Sequence, residues 1–507
     1  MVPARARIVV IGAGFSGLAV AVRLRQAGIH DFVVLEQAPG VGGAWHHNTY
    51  PGCRCDIPSH LYSLSFAPNP QWTHTYTGQA EIRAYLEGVV GRFGLAPHLH
   101  TGVTVDGAAW IEAEGRWRVR AGGGTVDAQV LIAATGPLHE PVVPAVPGLE
   151  RFAGHTMHSA RWDHGYDLTG KRVVSIGTGA SAIQYVPAIQ PRVERLYVVQ
   201  RTAPWVMPHR NRAISDRERW LYRQLPFAQR LVRGAVYAGR EVLVVGFVKR
   251  PGLLGRLEAV SRAHMRRHIA DAGLRARLTP DYALGCKRLL PSNEWYPALA
   301  QSNVDVLTGT LREVRPHSVV DADGVEHPAD AIIFGTGFRA TDARFSEAVV
   351  GRDGRSLAAV WQGSPTAYLG ASVPGFPNFF KLLGPNTGLG HGSMVYMIES
   401  QVEHVLRAIR RLGDDERAVL EVEPGAYDRY NAEIDARMRG TVWDTGGCTS
   451  FYIDANGRNA GLWPDWTWRF RRRARATDAY TVQTGGAVAL SVGKIEAGLS
   501  GEVFDPT

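Results

Sequence analysis

Residues 7–28 read RIVVIGAGFSGLAVAVRLRQAG, and residues 31–37 read DFVVLEQ. In order they are an apolar strand-like run, a glycine turn, an amphipathic helical stretch and a second apolar run, which is the strand–turn–helix–strand order of a nucleotide-binding unit. Gly12, Gly14 and Gly17 supply the pattern G-x-G-x-x-G. Each glycine has its own reason: the first permits a sharp turn, the second lets the backbone approach a pyrophosphate, and the third lets helix pack close to strand. The helix N-terminus adds N–H donors and a positive dipole end. Glu36, closing the second strand, is placed to accept hydrogen bonds from a ribose diol. The basic head and apolar run of MVPARARIVVIGAGFSGLAVAV also have the look of a secretory signal, but glycines falling on this pattern make the stretch a first strand and helix.

A second copy follows. KRVVSIGTGASAIQYVPAI, residues 171–189, carries Gly177, Gly179 and Ala182 as G-x-G-x-x-A, and RLYVVQRT, residues 195–202, is its next strand. From the first glycine to the strand-end residue is the same distance in both copies, Gly12 to Glu36 and Gly177 to Arg201. The residue at that shared position changes charge. A carboxylate repels a 2′-phosphate, whereas Arg201, with Thr202 beside it, pairs with one through charge-assisted hydrogen bonds. The first unit is therefore expected to hold FAD and the second NADPH.

The remaining sequence bounds these units. At 507 residues the chain is too long for one core, and 45% hydrophobic with 20% charged residues matches a globular α/β enzyme. LIAATGP (131–137) and AIIFGTGF (331–338) are buried strands running into small-residue turns, and LHEPVVPAVPG (138–148) is a proline-rich linker. The expected architecture is α/β, with two Rossmann-like dinucleotide-binding domains: a first part of the FAD domain at 1–147, an NADPH domain at 148–329, the rest of the FAD domain at 330–480, and a tail at 481–507. A helical insertion is expected at about 211–280, its apolar faces serving as core or substrate-tunnel walls rather than as a membrane-surface helix. The net charge of +9 could suggest nucleic acid, but the arginines are spread along the chain and dense only from Arg469 to Arg475, in WRFRRRAR, which reads as a solvated or phosphate-facing element and not a nucleic-acid site. Cys53, Cys55, Cys286 and Cys448 have neither metal-ligand nor disulfide-framework spacing, which fits a reducing cytoplasm, and no metal site is expected. The C-x-x-x-x-C pair of a dithiol flavin reductase is missing. Val242–Val248, the most apolar interior run, is far short of the roughly 20 residues that span a bilayer.

Phe152, Gly154, His158, Trp162 and Asp163 match the fingerprint F-x-G-x-x-x-H-x-x-x-W-(P/D). On these residues the chain, from Arg7 to about Arg475, resembles the class B flavoprotein monooxygenases, and within them the Baeyer–Villiger monooxygenases, since the sister flavin-containing enzymes lack the Trp-Asp ending. The resemblance implies that His158 sits at the domain junction and couples domain rotation to reaction. It also implies that Asp56, in YPGCRCDIPSHLYSLSF (50–66), hydrogen-bonds the active-site arginine, and that GCKRLL (285–290) bears the NADPH-phosphate lysine, Lys287, and that arginine, Arg288. Gly42, Gly43 and Trp45 of GVGGAW match a flavin-proximal turn. In GPNTGLGHGSMVYMIESQ (384–401), Gly384, Pro385 and Met394 fit the family pattern, and Leu389 and Met394 are candidates to line the substrate pocket or to pack in the core.

The implied activity uses NADPH and O2 to insert one oxygen beside a ketone carbonyl, giving an ester or lactone by way of a flavin C4a-peroxide that Arg288 keeps anionic and Asp56 helps orient. The partner is a small-molecule ketone. Two other readings stay open: oxygenation of nitrogen or sulfur by the same machinery, and a non-catalytic flavoprotein redox sensor.

Overall fold

The computed structural model describes residues 2–340 and 345–484. Two sheets organise it. In the first, β1 (Arg5–Ile11) lies between β2 (Phe32–Glu36) and β6 (Gly124–Ala133), parallel to both, and β3 (Leu99–Thr101) extends it in parallel beyond β2. On the other side β4 (Val105–Ile111) and β5 (Arg116–Ala121) form an antiparallel meander onto β6, and the short strand Phe379–Lys381 returns from far along the chain to pair in parallel with β6. The central strands read as continuous apolar runs because both their faces are covered; Ile8, Val9 and Val10 are all 0% exposed.

Helix α1 (Phe15–Gln26) follows β1 and is buried almost all round, packed between the sheet and the long helix Met394–Arg411. The amphipathic helix expected from sequence is thus an interior helix, and its small residues Ala19 and Ala21 let it sit tightly.

The second sheet is wholly parallel. Its order is Val304–Thr308, β9 (Arg195–Gln200), β8 (Arg172–Ile176), Ala331–Phe334 and β7 (His155–His158). The pairing of Ala331–Phe334 with β8 and β7 keeps that strand in the second sheet, so the chain leaves this domain after Phe334 and not at 329 as the sequence reading placed it. The strand order puts 331–334 between two earlier strands, a long-range pairing that no local pattern marks.

The expected insertion is helical. It comprises α5 (Asp216–Gln224), α6 (Pro226–Glu241), α7 (Gly255–His268) and the short helix Ala272–Arg277. Ser215 caps α5 through a full capping box with Glu218. Its apolar faces do not all point inward, however. Ile214 and Tyr222 join the core of the first domain, but Trp220, Leu225, Phe227, Leu231 and Val242 are exposed, which corrects the expectation that these faces are core or tunnel wall. The C-terminal strand Tyr480–Gln483 pairs with Val419–Val422, and the tail from 485 on lies outside the described residues.

Candidate active site

The first glycine turn is shaped for backbone approach. Gly12 has φ +101°, and a Cβ there would stand 2.7 Å from the Ala134 carbonyl oxygen; a Cβ on Gly17 would stand 1.8 Å from the Gly12 oxygen. Gly14 faces Gly43, whose own Cβ would come within 3.0 Å of Gly14 Cα. Around this bare backbone, α1 starts with no side-chain cap and no acid in its first turn, so its N–H donors and dipole end are unanswered, as a pyrophosphate requires. Buried Glu36 is held at the strand end by the N–H groups of Ala13 (2.7 Å) and Ala38 (2.8 Å). Beside Gly12, the buried Thr135 hydroxyl has no partner among the described residues. Trp45, on the one-turn helix after Gly42 and Gly43, donates from Nε1 to the Tyr62 hydroxyl at 3.0 Å. These features fit FAD.

The second turn repeats the design with one difference. Gly177 has φ +105° and a Cβ there would lie 2.5 Å from the Gly335 oxygen, whereas a Cβ on Gly179 would meet nothing within 4 Å. That open space lies at the start of helix α4 (Ala182–Ile189), which has no side-chain cap. Ala182 is fully buried, and Thr178 Oγ1 donates to the Thr202 carbonyl at 3.1 Å. Lys287 arrives from the 285–290 loop with Nζ 4.7 Å from the centre of the Tyr282 ring. Burial first, and then the charge of exposed Arg201, lower its pKa, with Asp281 opposing. Two cations drawn together at the ribose end of the second unit are relieved by a phosphate, which fits NADPH.

Between the two units lies an ion pair. Arg288 donates from Nε to Asp56 Oδ2 at 2.8 Å and from Nη2 to Oδ1 at 2.9 Å, and from Nη1 to the Leu389 carbonyl at 2.7 Å. Their side chains are 21% and 26% exposed, so the pair is partly reachable from outside. Burial alone would raise the Asp56 carboxyl, but the charge and hydrogen bonds of Arg288 outweigh it and hold its pKa below the ordinary carboxylate value. For Arg288 burial is likewise overcome, by Asp56, so the guanidinium is a fixed cation. Of its five N–H donors three are spoken for, leaving one on each terminal nitrogen without a partner among the described residues.

Two devices fix this pair, and sequence reading found neither. Gln184 on α4 accepts from the Tyr50 hydroxyl (3.1 Å) and the Arg54 N–H (3.2 Å) and donates to the Arg54 carbonyl (3.1 Å), clamping the Asp56 loop to the second domain. Gly52 makes room: a Cβ there would lie 2.8 Å from the Gln184 backbone carbonyl oxygen. Cys286, next to Lys287, forms a disulfide with Cys448 across 162 residues, and Trp443 Nε1 donates to Gly285 O at 3.0 Å. That pairing corrects the reading that the cysteine spacing held no disulfide. Cys53 and Cys55 are free, and burial pushes the Cys53 thiol up to about 12.

The fingerprint residues sit at the junction rather than at the pair. A Cβ on Gly154 would strike Asp330 O and the Phe152 ring, at 2.5 and 2.6 Å, so the glycine lets that ring fold back. Trp162 packs on Tyr185 of α4, and Asp163 accepts from the Gly165 N–H at 2.8 Å with its other oxygen 3.2 Å from His155 Nε2. His158 ends β7, is 6% exposed, accepts at Nδ1 from Ala160 N–H, and lies against Phe338 of the segment that leaves the second sheet. Burial pushes its pKa down to about 4, so it is a neutral ring. Leu389 is a core side chain that contributes its carbonyl to Arg288, and Met394 starts the long helix, partly buried against the same cluster.

The chain is similar to known proteins over most of its length. Residues 9–217 match the family described as pyridine nucleotide-disulphide oxidoreductase. The chain is 53% identical over 490 residues to a Baeyer-Villiger monooxygenase of Streptomyces coelicolor, covering 96% of this chain and 94% of the relative. It is 46% identical over 496 residues to a Baeyer-Villiger monooxygenase of Pseudomonas aeruginosa, with coverage of 96% and 94%. Among solved structures, an oxidized steroid monooxygenase bound to NADP superposes with TM-score 0.84 at 30% identity, and cyclohexanone monooxygenase from Rhodococcus sp. Phi1 bound to NADP+ with 0.84 at 28%, each covering 95% of this chain and 100% of the other. No helix among the described residues is long and apolar enough to cross a membrane.

Proposed function

Because the chain belongs to the Baeyer–Villiger monooxygenase family, we propose that it uses FAD, NADPH and O2 to insert one oxygen atom beside the carbonyl of a small-molecule ketone, yielding an ester or lactone. The observation that carries this is the Arg288–Asp56 pair, bidentate and held between two complete nucleotide turns. Bound flavin supplies the redox chemistry with NADPH and dioxygen.

The chain's own residues do the rest. Gly12, Gly14, Gly17, Glu36, Gly43 and Trp45 hold FAD; Gly177, Gly179, Ala182, Arg201, Thr202 and Lys287 hold NADPH, Arg201 and Lys287 at the 2′-phosphate. Arg288 presents two free N–H groups and a permanent positive charge to the oxygen that becomes negative on the substrate. Where bound cofactors and substrate exclude water, such a charge is worth several kcal/mol. Asp56 fixes the plane of the guanidinium, and the Leu389 carbonyl fixes its third donor, so no reorientation is needed during reaction. His158, neutral and packed on Phe338, acts as a positioning residue where the second sheet hands the chain back. The demand for NADPH makes the cytoplasm the proposed place of action.

The test is NADPH consumption over linear, aryl and cyclic ketones with mass spectrometry of products, run beside a sulfide and an amine. Ester or lactone from a ketone supports the proposal. Sulfoxide or N-oxide alone would move the chain to heteroatom oxygenation, and NADPH oxidation that no substrate stimulates would leave only a redox-sensing role.

A further inference from the structure

Residues 211–280 contain fifteen Lys and Arg against five Asp and Glu, a net of +10, while the whole chain carries +9. All of the chain's positive excess therefore lies in one insertion, and the remainder is close to neutral. Part of this charge is spent internally: Arg212 pairs with Glu218, Arg219 with Asp216, and Arg233 donates to the His60 and Ser63 carbonyls at 2.8 Å. Arg217, Arg223, Arg230, Arg250 and Arg256 are exposed and meet no carboxylate among the described residues.

The same insertion also exposes several large apolar side chains. Along α6, Phe227 (67% exposed), Leu231 (57%) and Val242 (65%) follow helical spacing with exposed Ala235 and Ala238 between them, so they form one outward stripe. Trp220 (56%) on α5 and Leu225 (57%) at the joint between the two helices are exposed as well. The inward face of α6 is already satisfied: Ala228, Val232, Val236 and Tyr237 pack against the core of the first domain, Gln229 Nε2 donates to Asn69 O at 2.7 Å, and Glu241 accepts from Thr467 and lies 3.3 Å from His391 Nε2. The helix thus buries one apolar face against the protein and carries a second apolar stripe on its outside, where an ordinary surface helix is polar.

We propose that this face docks on an anionic phospholipid surface, with α6 lying in the interfacial plane, Phe227, Leu231 and Val242 entering the acyl boundary and the unpaired arginines meeting lipid phosphates. Charge selects this occupant. A second copy seated face to face brings two insertions of +10 together, and a nucleic acid answers the arginines but gives the stripe no apolar partner. A lipid surface answers both at once.

The experiment is co-sedimentation of the full flavin-loaded protein with vesicles of phosphatidylcholine alone and of phosphatidylcholine mixed with phosphatidylglycerol, at low and high salt. Binding to the anionic vesicles is expected to exceed that to neutral ones about tenfold and to weaken with salt. The double variant Phe227→Ser/Leu231→Ser, and separately Arg217→Glu/Arg223→Glu/Arg230→Glu, should each lower that binding about tenfold. Flavin content and NADPH oxidation in vesicle-free solution should stay unchanged, which separates lost docking from lost folding. Failure to bind anionic vesicles, equal binding to neutral ones, or full binding by the Phe227→Ser/Leu231→Ser protein would overturn the proposal. So would light scattering that shows a dimer dissolved by those two substitutions together with no vesicle binding, since the face would then belong to a second copy.

Discussion

Arg288 and Asp56, 232 positions apart, meet through two parallel hydrogen bonds of 2.8 and 2.9 Å, each contributed by a different domain. The pair exists only when the domains are assembled, which makes it both a strut between them and the charged element of the site. Asp56→Asn keeps the shape and one acceptor but frees the guanidinium to turn. If orientation matters more than net field, oxygenation should fall about 10- to 100-fold while flavin reduction by NADPH stays near its original rate. Because the pair is a quarter exposed, stability should drop by roughly 1–3 kcal/mol, less than for a fully buried pair. Stopped-flow reduction, product yield and urea unfolding check the three parts.

Arg201 and Lys287 should account for the choice of NADPH over NADH. Arg201→Ala is expected to raise KM for NADPH about 10-fold or more, with little change for NADH, on the basis of about 1.5–3 kcal/mol for a charged hydrogen bond. Lys287→Ala should act in the same direction. Steady-state kinetics with both nucleotides give the ratio directly.

Gly177 and Gly179 differ in what a methyl group would meet, and this separates folding from binding. Gly177→Ala drives a Cβ to 2.5 Å from Gly335 O at φ +105°, so expression and flavin content should fall. Gly179→Ala meets no protein atom within 4 Å, so it should give a yellow, folded protein whose NADPH affinity is reduced about tenfold or more because the methyl group occupies cofactor space. Thermal melts and nucleotide titration distinguish them.

Much of this was legible in the chain because glycine turns and strand ends are local. The equal interval from Gly12 to Glu36 and from Gly177 to Arg201 is a backbone requirement, and the structure places all four at their strand ends. Asp56 and Arg288 carry no local signal for each other, and their pairing came from family resemblance. The Gln184 clamp and the Cys286–Cys448 bridge were not legible: a glutamine on a short helix looks like any surface residue, and cysteines 162 positions apart are brought together only by the assembled fold. The outward stripe of α6 was misread because the apolar period of a helix is the same whether it faces a core or solvent.

His404 gives a pH dependence of stability. It is fully buried, with Nδ1 3.0 Å from the Ala474 carbonyl and Nε2 2.7 Å from the Tyr480 hydroxyl, and burial pushes its pKa down from 6.5 to about 4. The unfolded chain takes up this proton first. Its contribution is therefore intact above the unfolded value of 6.5 and is lost as pH falls from there toward about 4. The loss approaches roughly 3 kcal/mol at the acid end. Denaturant midpoints should fall across that window, and His404→Gln should flatten the decline relative to the parent protein.

The most direct measurement is single-turnover analysis of Arg288→Ala loaded with FAD, following flavin reduction by NADPH and then quantifying ester after addition of oxygen and a ketone that the parent protein converts. Reduction is expected to remain within a few-fold of the parent rate, and ester to fall by at least about 10² to 10³. Ester formed at the parent rate would remove Arg288 from the chemistry and contradict the account.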